Sequence, residues 1–385
     1  MKKKVSIVTS GHPYYDERIF YKFARSLNKN GYEVSIICST VDSDIDLVKD
    51  NIHIIGFDGS NLKKSEKVNK FFDHLSSIKP DVIICCEPLP ILAAHKIQSE
   101  RKNVRIIYDI TEWYPHQNML INFGRTKRII NYIYLFLFNV YAASLCDHLI
   151  IGEISKAIPY KIFLPFLKKT IIGYFPPYEY FEYSPPPSDT NTFTICYVGI
   201  INKERGIFTF LEVLKRVKIL NPKLNFKAKV IGDFENESIK YKVSEFIISN
   251  KDLDVEFTGW ISYDKLSEHL KDVDIFFDLR EKNFVYEHSF PIKIFEFMAC
   301  GKPVIYSNVK PLVKFKEINQ FGFLVNPTDI DLICKKISLY LENPLLLQKH
   351  SQAARSLFEE KYNWEKIEKL LLGIIEANSY KLSQV

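Results

Sequence analysis

One segment of the sequence joins a helix start to a lysine and a glutamate, residues 291–305 (PIKIFEFMACGKPVI). Pro291 suits the first turn of a helix, where its missing N–H costs nothing. The free amides of a helix N-terminus bind anions, and Lys293 would add a cation there. Glu296 lies on the same edge, where its carboxylate could accept two hydroxyl hydrogen bonds from a ribose. This pattern predicts a nucleotide diphosphate site, and the alternative is a solvated amphipathic helix with a surface glutamate.

A second anion-binding pattern lies in residues 197–206 (YVGIINKERG), where a predicted strand ends and a helix begins. Arg205 can bind a phosphate through two parallel hydrogen bonds. Gly199 and Gly206 permit close approach of the backbone to a ligand. The alternative is an ordinary strand-to-helix turn with an exposed arginine.

The loop after the first predicted strand, residues 10–18 (SGHPYYDER), is rich in turn residues. It lacks the GxGxxG pattern, so a nicotinamide-type fingerprint is absent. His12, Asp16 and Arg18 could contact a substrate or a phosphate group. The alternative is that Asp16 caps the following helix among surface charges.

A third polar loop, residues 108–116 (YDITEWYPH), follows another strand, and Asp109, Glu112 and His116 would face a cleft there. The acidic triplet at residues 42–44 (DSD) has a spacing that can hold a divalent cation. It lies in a predicted polar loop, and acidic loops are common. We therefore predict no metal site.

Composition sets the broad class of the protein. The 385 residues suggest two or three domains, and 46% hydrophobic with 25% charged residues is typical of a globular protein. A net charge of +6 is too weak to indicate nucleic acid and fits nucleotide diphosphates or an anionic membrane surface. Seven cysteines without a CxxC pair predict a reducing compartment, with neither disulfides nor zinc. The apolar run at residues 5–8 is too short for a secretory signal.

The elements that must position these loops alternate along the chain. Strands are predicted at residues 4–9, 33–38, 52–57, 81–86, 105–110 and 148–151, and at 193–198, 227–232, 255–257, 274–278, 303–306 and 322–325, with helical patterns between most of them. The runs are apolar nearly throughout, which is typical of parallel strands covered on both faces. Alternating strands and helices predict doubly wound α/β sheets.

The domain boundaries follow from a proline-rich break at residues 176–192 (PPYEYFEYSPPPSDTNT), which neither a helix nor a strand can cross. We predict an N-terminal Rossmann-like domain at residues 1–175, a linker at 176–192 and a C-terminal Rossmann-like domain at 193–360. Residues 361–385 are predicted to form a helix that packs back toward the N-terminal domain. Ligands of such sheets bind beyond the carboxyl ends of the strands, which predicts a site in a cleft between two facing domains.

Residues 127–146 (KRIINYIYLFLFNVYAASLC) form the most apolar stretch of the chain. Its uninterrupted core is shorter than the ~20 residues that a membrane span requires. One interpretation is a buried helix. The other is an interfacial helix whose basic start, with Arg125, Lys127 and Arg128, meets anionic lipid.

Taken in order, these segments resemble the retaining family 4 glycosyltransferases of GT-B fold, over nearly the whole chain. Residues 291–305 are similar to the family's run Lys-hydrophobic-hydrophobic-Glu-aromatic-Met-Ala-x-Gly-x-Pro-Val-Ile, and this is the most specific part. Also similar are VGIINKERGI at 198–207, FTGW at 257–260, DERIFYKFARSLNKNGYEV at 16–34 and YNWEKI at 362–367. The resemblance implies two Rossmann-like domains that face each other across a cleft.

The resemblance also implies roles for residues. Glu296 matches the second carboxylate of the family's E-x7-E motif, which binds the ribose, and Arg205 matches a basic residue on the diphosphate. Donor-binding roles are predicted for Gly11, Gly199, Arg205, Trp260, Phe290, Pro291, Lys293 and Glu296. Acceptor-side roles are predicted for His12, Asp16, Arg18 and Glu112. Catalytic roles are predicted for Glu287, His288 and His116.

The chain departs from the family pattern at the position of the first motif carboxylate, which is His288 here, with Glu287 one residue early. Either side chain could take the contact with the sugar. Ile200 replaces a basic residue that usually follows the glycine. Thr111 replaces a usual histidine, for which His116 or His12 could compensate.

The expected function is that of a hexosyl-type glycosyltransferase. It would move a sugar from a nucleotide sugar to a glycan or lipid-linked acceptor with retention, in cell-surface polysaccharide biosynthesis. A UDP-sugar is mildly favoured as donor, without a metal or cofactor, and no nucleic acid is expected as a partner. The expected location is cytoplasmic, including the inner face of the membrane. The alternatives are a catalytically weak GT-B protein that binds a nucleotide sugar or a partner, and a nucleotide-sugar epimerase.

Overall fold

The structure, a computed structural model, describes residues 2–115, 119–120, 123–187 and 192–377. It divides the chain into two compact units, Met1–Tyr174 together with Ile367–Val385, and Phe175–Lys366. Each unit has its own sheet with helices packed on it, which confirms the predicted α/β class.

The first unit is built on a sheet of mainly parallel strands. Its strands are β1 (Lys4–Thr9), β2 (Glu33–Cys38), β3 (Thr40–Lys49), β4 (Ile52–Asp58), β5 (Val82–Cys85), β6 (Arg105–Ile110), β7 (His148–Ile151) and β8 (Lys169–Ile171). Over the described residues, their order in the sheet is β3-β4-β2-β1-β5-β6-β7-β8. Neighbouring strands are parallel, apart from β3, which pairs antiparallel with β4 at the edge.

The helices of the first unit follow its strands. They are α1 (Arg25–Lys29), α2 (Lys64–Ile78), α3 (Pro88–Glu100), α4 (Arg125–Ser144) and α5 (Ile158–Phe163). A π-helical segment, Glu17–Ala24, leads into α1, and a 3₁₀ turn, Ile154–Ala157, leads into α5. The carboxylate of Asp16 accepts hydrogen bonds from the backbone N–H groups of Arg18 (2.9 Å) and Ile19 (3.2 Å). Asp16 therefore caps the π-helical segment.

The second unit has a parallel sheet. Its strands are β9 (Thr192–Val198), β10 (Asn225–Ile231), β11 (Asp254–Gly259), β12 (Ile275–Asp278), β13 (Val304–Ser307) and β14 (Gly322–Val325), in the order β11-β10-β9-β12-β13-β14. The helices are α6 (Ile207–Leu220), α7 (Glu237–Ser249), α8 (Leu266–His269), α9 (Lys293–Cys300), α10 (Lys310–Lys314), α11 (Ile330–Glu342) and α12 (Pro344–Glu360), and α13 (Trp364–Glu376) begins in this unit and continues into the first. The strand order reverses between β9 and β12, which makes the loops after these two strands the expected ligand position.

Burial on both faces explains why the strands of this sheet are apolar nearly throughout. On β9, Ile195 and Tyr197 pack into one buried cluster, whereas Cys196 and Val198 pack into another. Because successive side chains of a strand point to opposite faces, each face of this sheet carries its own core. The seven cysteines of the chain are all free and buried.

Some elements differ from the predictions. The DSD triplet at residues 42–44 lies in β3, not in a loop, because Val41 and Ile45 pack over Gly56 of β4. This alternation of apolar and polar residues is typical of a half-buried strand. Helix α9 begins at Lys293, so Pro291 precedes the helix and does not lie in its first turn. The carbonyl of Pro291 accepts a 3.4 Å hydrogen bond from the N–H of Ile294, which makes a tight turn there.

The proline-rich segment that was predicted as a linker packs within the second unit as far as it is described. Phe181 is buried in one of its cores, and the N–H of Ser184 donates to the carbonyl of Cys300 at 3.0 Å. The end of α13 packs in the first unit. There the guanidinium of Arg105 donates to the carbonyls of Ile374 (2.7 Å) and Ala377 (2.6 Å).

Candidate functional site

Three glycines close the carboxyl edge of the second sheet. Gly199, Gly232 and Gly259 lie at or just after the ends of β9, β10 and β11, with φ of 137°, 137° and 73°. The N–H of Gly199 donates to the carbonyl of Ile231 and that of Gly232 donates to Gly259, both at 2.9 Å. A Cβ on Gly232 would lie 2.1 Å from the carbonyl oxygen of Gly199. The backbone at this edge is therefore packed too closely for side chains.

Arg205 lies in the loop after β9, beside this glycine edge. A Cβ on Gly199 would lie 2.7 Å from Nη1 of Arg205, which places the guanidinium over the end of the strand. The side chain of Asn202 accepts a 2.8 Å hydrogen bond from the N–H of Arg205 and fixes the loop. Gly206 then begins the turn into α6 with φ of 80°, and a Cβ there would lie 2.0 Å from the carbonyl oxygen of Leu279. The loops after β9 and β12 thus touch through Gly206.

Lys293 and Glu296 form the start of α9. Glu296 is 2% exposed, and its carboxylate accepts a hydrogen bond from Nζ of Lys293 at 3.4 Å. The helix has no side-chain cap at Ile292, so its first amides are not satisfied by a capping side chain. A cation, a buried carboxylate and a helix N-terminus therefore stand together, as the sequence predicts for a nucleotide site.

Asp278 and Arg280 form a buried ion pair that the sequence interpretation missed. Nε of Arg280 donates to Asp278 at 2.6 Å, Nη2 makes a second such bond, and the guanidinium lies 4.8 Å from the ring centre of Tyr286. Burial lowers the pKa of Arg280, but the carboxylate of Asp278 outweighs it and raises that pKa. The carbonyl of Arg280 accepts a 2.8 Å hydrogen bond from Ser307. This pair holds the start of the loop at residues 280–290, and its position directly after a strand is the signal that could have revealed it.

Tyr306, on β13, connects these groups. Its hydroxyl is buried and makes no hydrogen bond with the part of the chain that the structure describes. Burial raises the pKa of Tyr306 well above its ordinary value. The charges of Asp278 and Glu296 raise it further, whereas those of Arg280 and Arg205 lower it. The charges of Arg205, in the loop after β9, and of Glu296, in α9, therefore act on the same phenol.

Glu287 and His288 have different surroundings in the turn before α9. The carboxylate of Glu287 is 16% exposed and lies 3.5 Å from Nζ of Lys310. His288 shares a 2.7 Å hydrogen bond through Nδ1 with the carbonyl of Phe284, and the two rings lie 4.4 Å apart. Glu287 is thus held by a cation, whereas the His288 ring is engaged with its own turn.

Two predicted donor-binding residues lie outside this group. Trp260 is 59% exposed, and its backbone N–H donates to the carboxylate of Asp233 at 3.1 Å. The ring of Phe290 stacks on Phe295 at 5.3 Å and meets Phe315 edge-on at 5.4 Å. Phe290 therefore packs in an aromatic cluster beside the turn before α9, and its donor-binding role stays a prediction.

In the first unit, His12 and Glu87 organise the loop after β1. The carboxylate of Glu87 accepts hydrogen bonds from the N–H groups of Ser10 (2.6 Å) and Gly11 (3.1 Å) and from the hydroxyl of Thr9 (2.9 Å). Burial raises the pKa of Glu87, while His12 and these hydrogen bonds oppose the rise. The sequence interpretation missed Glu87, although it follows an apolar strand directly and precedes a helix that starts with Pro88.

His12 lies between carboxylates. Its Nδ1 is 3.4 Å from Asp16, and its Nε2 is 3.6 Å from Glu87. Burial lowers the pKa of His12, but the hydrogen bond to Asp16 and the charges of Asp16, Glu87 and the exposed Glu112 raise it to about 9. His12 is therefore a cation at neutral pH. The structure brings together the predicted residues Gly11, His12 and Asp16, and the charge of Glu112 acts on the same group.

Arg18 and Asp109 are interior residues, which corrects their prediction as cleft-facing groups. Arg18 is 2% exposed and donates two hydrogen bonds to Asp109, at 2.7 and 2.8 Å. It also donates to the carbonyls of Ile172 and Gly173, both at 3.1 Å. With these bonds formed, the guanidinium is not available to an acceptor. His116 lies outside the described residues.

Two further points of the sequence concern metal binding and Thr111, which follows the carboxyl end of β6. In the described ranges, there is no group of three or more His, Cys, Asp or Glu residues placed to hold a metal ion. The carbonyl of Thr111 accepts hydrogen bonds from Lys156 and from the hydroxyl of Tyr174, the latter at 2.7 Å. The backbone at Thr111 is thus tied to its own unit.

A family match covers most of the second unit. Residues 182–357 match the family described as glycosyl transferases group 1. Among curated proteins, the capsular polysaccharide biosynthesis glycosyltransferase CapM of Staphylococcus aureus is 24% identical over 368 residues, which cover 86% of this chain and 92% of CapM.

Solved structures show the same fold over nearly the whole chain. Sucrose-phosphate synthase from Thermosynechococcus elongatus matches with a TM-score of 0.71 at 16% identity, covering 97% of this chain and 98% of that protein. HepE of Anabaena in complex with UDP-glucose matches with a TM-score of 0.70 at 13% identity, covering 97% and 99%. The fold is therefore that of the GT-B glycosyltransferases, as the sequence predicts.

Proposed function

We propose that this chain, a glycosyltransferase by its family match and its fold, transfers a sugar with retention from a UDP-sugar to a glycan or lipid-linked acceptor. The observation that carries the proposal is the start of α9, where the buried carboxylate of Glu296 accepts a 3.4 Å hydrogen bond from Lys293, in the same unit as the Arg205 guanidinium over the end of β9. A cation for the diphosphate and a carboxylate for the ribose are the two groups that a nucleotide sugar requires.

Each of these residues has a proposed role in binding the nucleotide end of the donor. Arg205 forms no hydrogen bond or ion pair through its guanidinium within the described chain, so it can bind the diphosphate through two bonds. The glycine edge at Gly199 lets the phosphates approach the backbone. Glu296 accepts the ribose hydroxyls, and Trp260 borders the base. HepE, whose structure contains UDP-glucose, supports UDP as the nucleotide.

Departure of the nucleotide diphosphate is the step that needs stabilisation, because negative charge grows on the leaving phosphate. Arg205, Lys293 and the first amides of α9 supply fixed positive charge for it, so we propose transfer without a metal. Glu287, which Lys310 holds in place, contacts the sugar, because His288 stands where the family motif has its first carboxylate. A role for His116 in catalysis remains part of the proposal.

The acceptor side is proposed to lie at the loop after β1. A donor contact of Gly11 remains part of the proposal, and the charged His12 binds an acceptor hydroxyl or phosphate together with Glu112 and the capping Asp16. CapM is a protein of capsular polysaccharide biosynthesis, which supports a surface polysaccharide as the product. We propose a cytoplasmic protein that works at the inner face of the membrane.

Hydrolysis of the sugar donor tests this function. The full chain is incubated with a panel of UDP-, GDP- and dTDP-sugars, with and without a chelator, and released nucleotide is measured beside thermal shifts. We expect release from a UDP-sugar that survives chelation. A thermal shift without release would indicate a protein that only binds nucleotide sugars, and an altered sugar still attached to UDP would indicate an epimerase. No shift and no release with any donor would overturn the proposal.

A further inference from the structure

Helix α4 presents a broad apolar face that the first unit does not cover. Its large apolar side chains are between 49% and 62% exposed at Ile129, Ile130, Tyr132, Ile133, Tyr134, Leu137 and Tyr141. The buried residues of the helix are Asn139, Ala142 and Ala143, all close to its C-terminal end. The helix is therefore fully buried only near that end, and one broad side of it stays exposed over most of its length among the described residues.

A neighbouring segment continues this surface. Between the 3₁₀ turn and β8, the exposed residues are Ile154 (71%), Ile158 (56%), Ile162 (67%), Phe163 (51%) and Phe166 (98%). The segment is fixed to α4, because the rings of Phe136 and Phe163 lie 5.5 Å apart and Asn139 donates a 2.7 Å hydrogen bond to the hydroxyl of Tyr160. We call these exposed residues of α4 and of residues 154–166 the apolar face. Scattered apolar residues need no explanation, but a contiguous patch of this kind marks an interaction surface.

The charge around the apolar face has one sign. Residues 123–171 contain seven lysines and arginines and only two acidic residues, Asp147 and Glu153. Asp147 accepts hydrogen bonds from Gln98 and from the N–H of Ile106, and Glu153 lies 3.0 Å from Nζ of Lys156. Glu153 is thus paired with a cation, and Asp147 is held by hydrogen bonds within the unit. The exposed cations flank the apolar residues at Arg125, Lys127, Arg128, Lys161 and Lys168.

This combination selects one occupant. A second copy of the chain docked by the same face would set lysine against lysine, because a two-fold interface brings identical patches together. An anionic bilayer offers the opposite charge to the rim and a hydrocarbon boundary to the centre. Among the described helices, none is long and apolar enough to cross a membrane. The chemistry therefore fits contact with one leaflet.

We propose that the apolar face lies on an anionic phospholipid surface, with α4 parallel to the membrane plane. Isoleucine, phenylalanine and tyrosine side chains enter the boundary between headgroups and acyl chains, and Arg125, Lys127 and Lys161 bind the anionic headgroups. This inference rests on the proposed function only in supplying a reason for the contact, a lipid-linked acceptor. Docking places the first unit, which carries the acceptor-side residues, on the leaflet that holds that acceptor.

Vesicle flotation of the full chain, without donor or acceptor, tests the proposal. The vesicles contain phosphatidylcholine alone or with about one third phosphatidylglycerol. We expect binding to the anionic vesicles, with a loss of about tenfold when Ile162→Glu and Phe166→Glu are combined. The matched control carries Tyr241→Glu and Ile248→Glu, both 69% exposed on α7 of the second unit, and should bind like the unchanged chain.

The outcomes separate docking from catalysis. Absence of binding to anionic vesicles, or undiminished binding by the Ile162/Phe166 variant, would overturn the proposal. A change from dimer to monomer in that variant, with vesicle binding unchanged, would identify a subunit interface and would also overturn it. Hydrolysis of the sugar donor in solution should be equal in both variants. Absence of hydrolysis by the unchanged chain would count against the proposed function, and the flotation result would remain valid.

Discussion

The side chains of His12 and Glu87 meet at the carboxyl end of β1, with Nε2 of His12 lying 3.6 Å from Oε1 of Glu87. The two residues are distant in sequence, and Asp16 holds the opposite nitrogen of the same ring. A histidine between two carboxylates is stabilised as a cation. The charge of His12 and the shape of the loop after β1 thus both depend on Glu87, because its carboxylate also accepts hydrogen bonds from the N–H groups of Ser10 and Gly11.

The first prediction concerns pH and stability. The pKa of His12 rises from 6.5 in a free chain to about 9 in the fold, so its stabilising contribution is complete below pH 6.5 and is lost as the pH rises through 9. A contribution of at most about 3 kcal/mol is expected. His12→Gln should flatten the fall of unfolding free energy between pH 6.5 and 9, measured with denaturant. His53→Gln is the control, since His53 is exposed, and an equally steep fall in the His12 variant would refute the assignment.

The second prediction concerns the buried pair of Arg18 and Asp109. Removing one partner leaves an uncompensated charge in the interior, so Arg18→Met should lower the unfolding free energy by about 3–5 kcal/mol. Arg25→Met is the matched control, because its 2.9 Å ion pair with Asp50 is exposed and should contribute less than about 1 kcal/mol. Equal losses in the two variants would contradict the structural role of Arg18. If the two units unfold separately, the transition of the first unit is the one to compare.

Much of the fold follows from local sequence patterns, and the ion pairs do not. Strands β1, β2, β6, β7 and β14 begin and end at the predicted residues, because buried parallel strands are short apolar runs between turn residues. Strand β3 was missed because its three aspartates, a residue type depleted in strands, favour a polar loop. A pair such as Arg18 and Asp109, 91 residues apart, leaves no pattern in a single sequence. For that reason Arg18 was predicted at the surface.

The candidate site shows the same division. Lys293, Glu296 and Arg205 could be found because each belongs to a short segment at a helix start. Glu87 and Arg280 were missed because their importance depends on contacts that only the fold creates. Glu87 follows the end of β5 and accepts a hydrogen bond from the N–H of Gly11, in the loop after β1. Strands β1 and β5 are neighbours in the sheet although they are far apart in sequence.

The third prediction separates the two parts of the nucleotide. Arg205→Met should weaken UDP binding by about 100-fold while leaving the affinity for uridine unchanged, because the diphosphate loses a charged hydrogen-bond partner. Glu296→Gln should weaken UDP and uridine equally, by about 10-fold to 100-fold, because both carry the ribose. Titration calorimetry of both ligands measures this. Glu212→Gln, at an exposed position of α6, is the control. Uridine binding that is insensitive to Glu296→Gln would remove the ribose role.

The fourth prediction compares two glycines with similar backbone angles. Gly206 has φ of 80° and Gly31 has φ of 85°, so alanine pays a similar conformational cost at both, about 1–2 kcal/mol. A Cβ on Gly206 would also lie 2.0 Å from the carbonyl oxygen of Leu279, whereas one on Gly31 meets nothing within 4 Å. Gly206→Ala should therefore displace the loop of Arg205 and weaken UDP binding at least about tenfold. Gly31→Ala should bind UDP normally, and normal binding by both would show that the two loops do not need their close contact.

The fifth prediction decides between Glu287 and His288 at the position of the sugar. We expect the carboxylate of Glu287, which lies 3.5 Å from Nζ of Lys310, to contact the sugar, because Nδ1 of His288 is engaged with the carbonyl of Phe284. Glu287→Gln should reduce hydrolysis of the sugar donor by about 100-fold or more and leave the affinity for UDP unchanged, because UDP lacks the sugar. Lys310→Gln should produce a smaller loss of the same kind. His288→Gln should retain most of the activity. The reverse order of losses would transfer the sugar contact to His288, in the position where the family pattern has its first carboxylate.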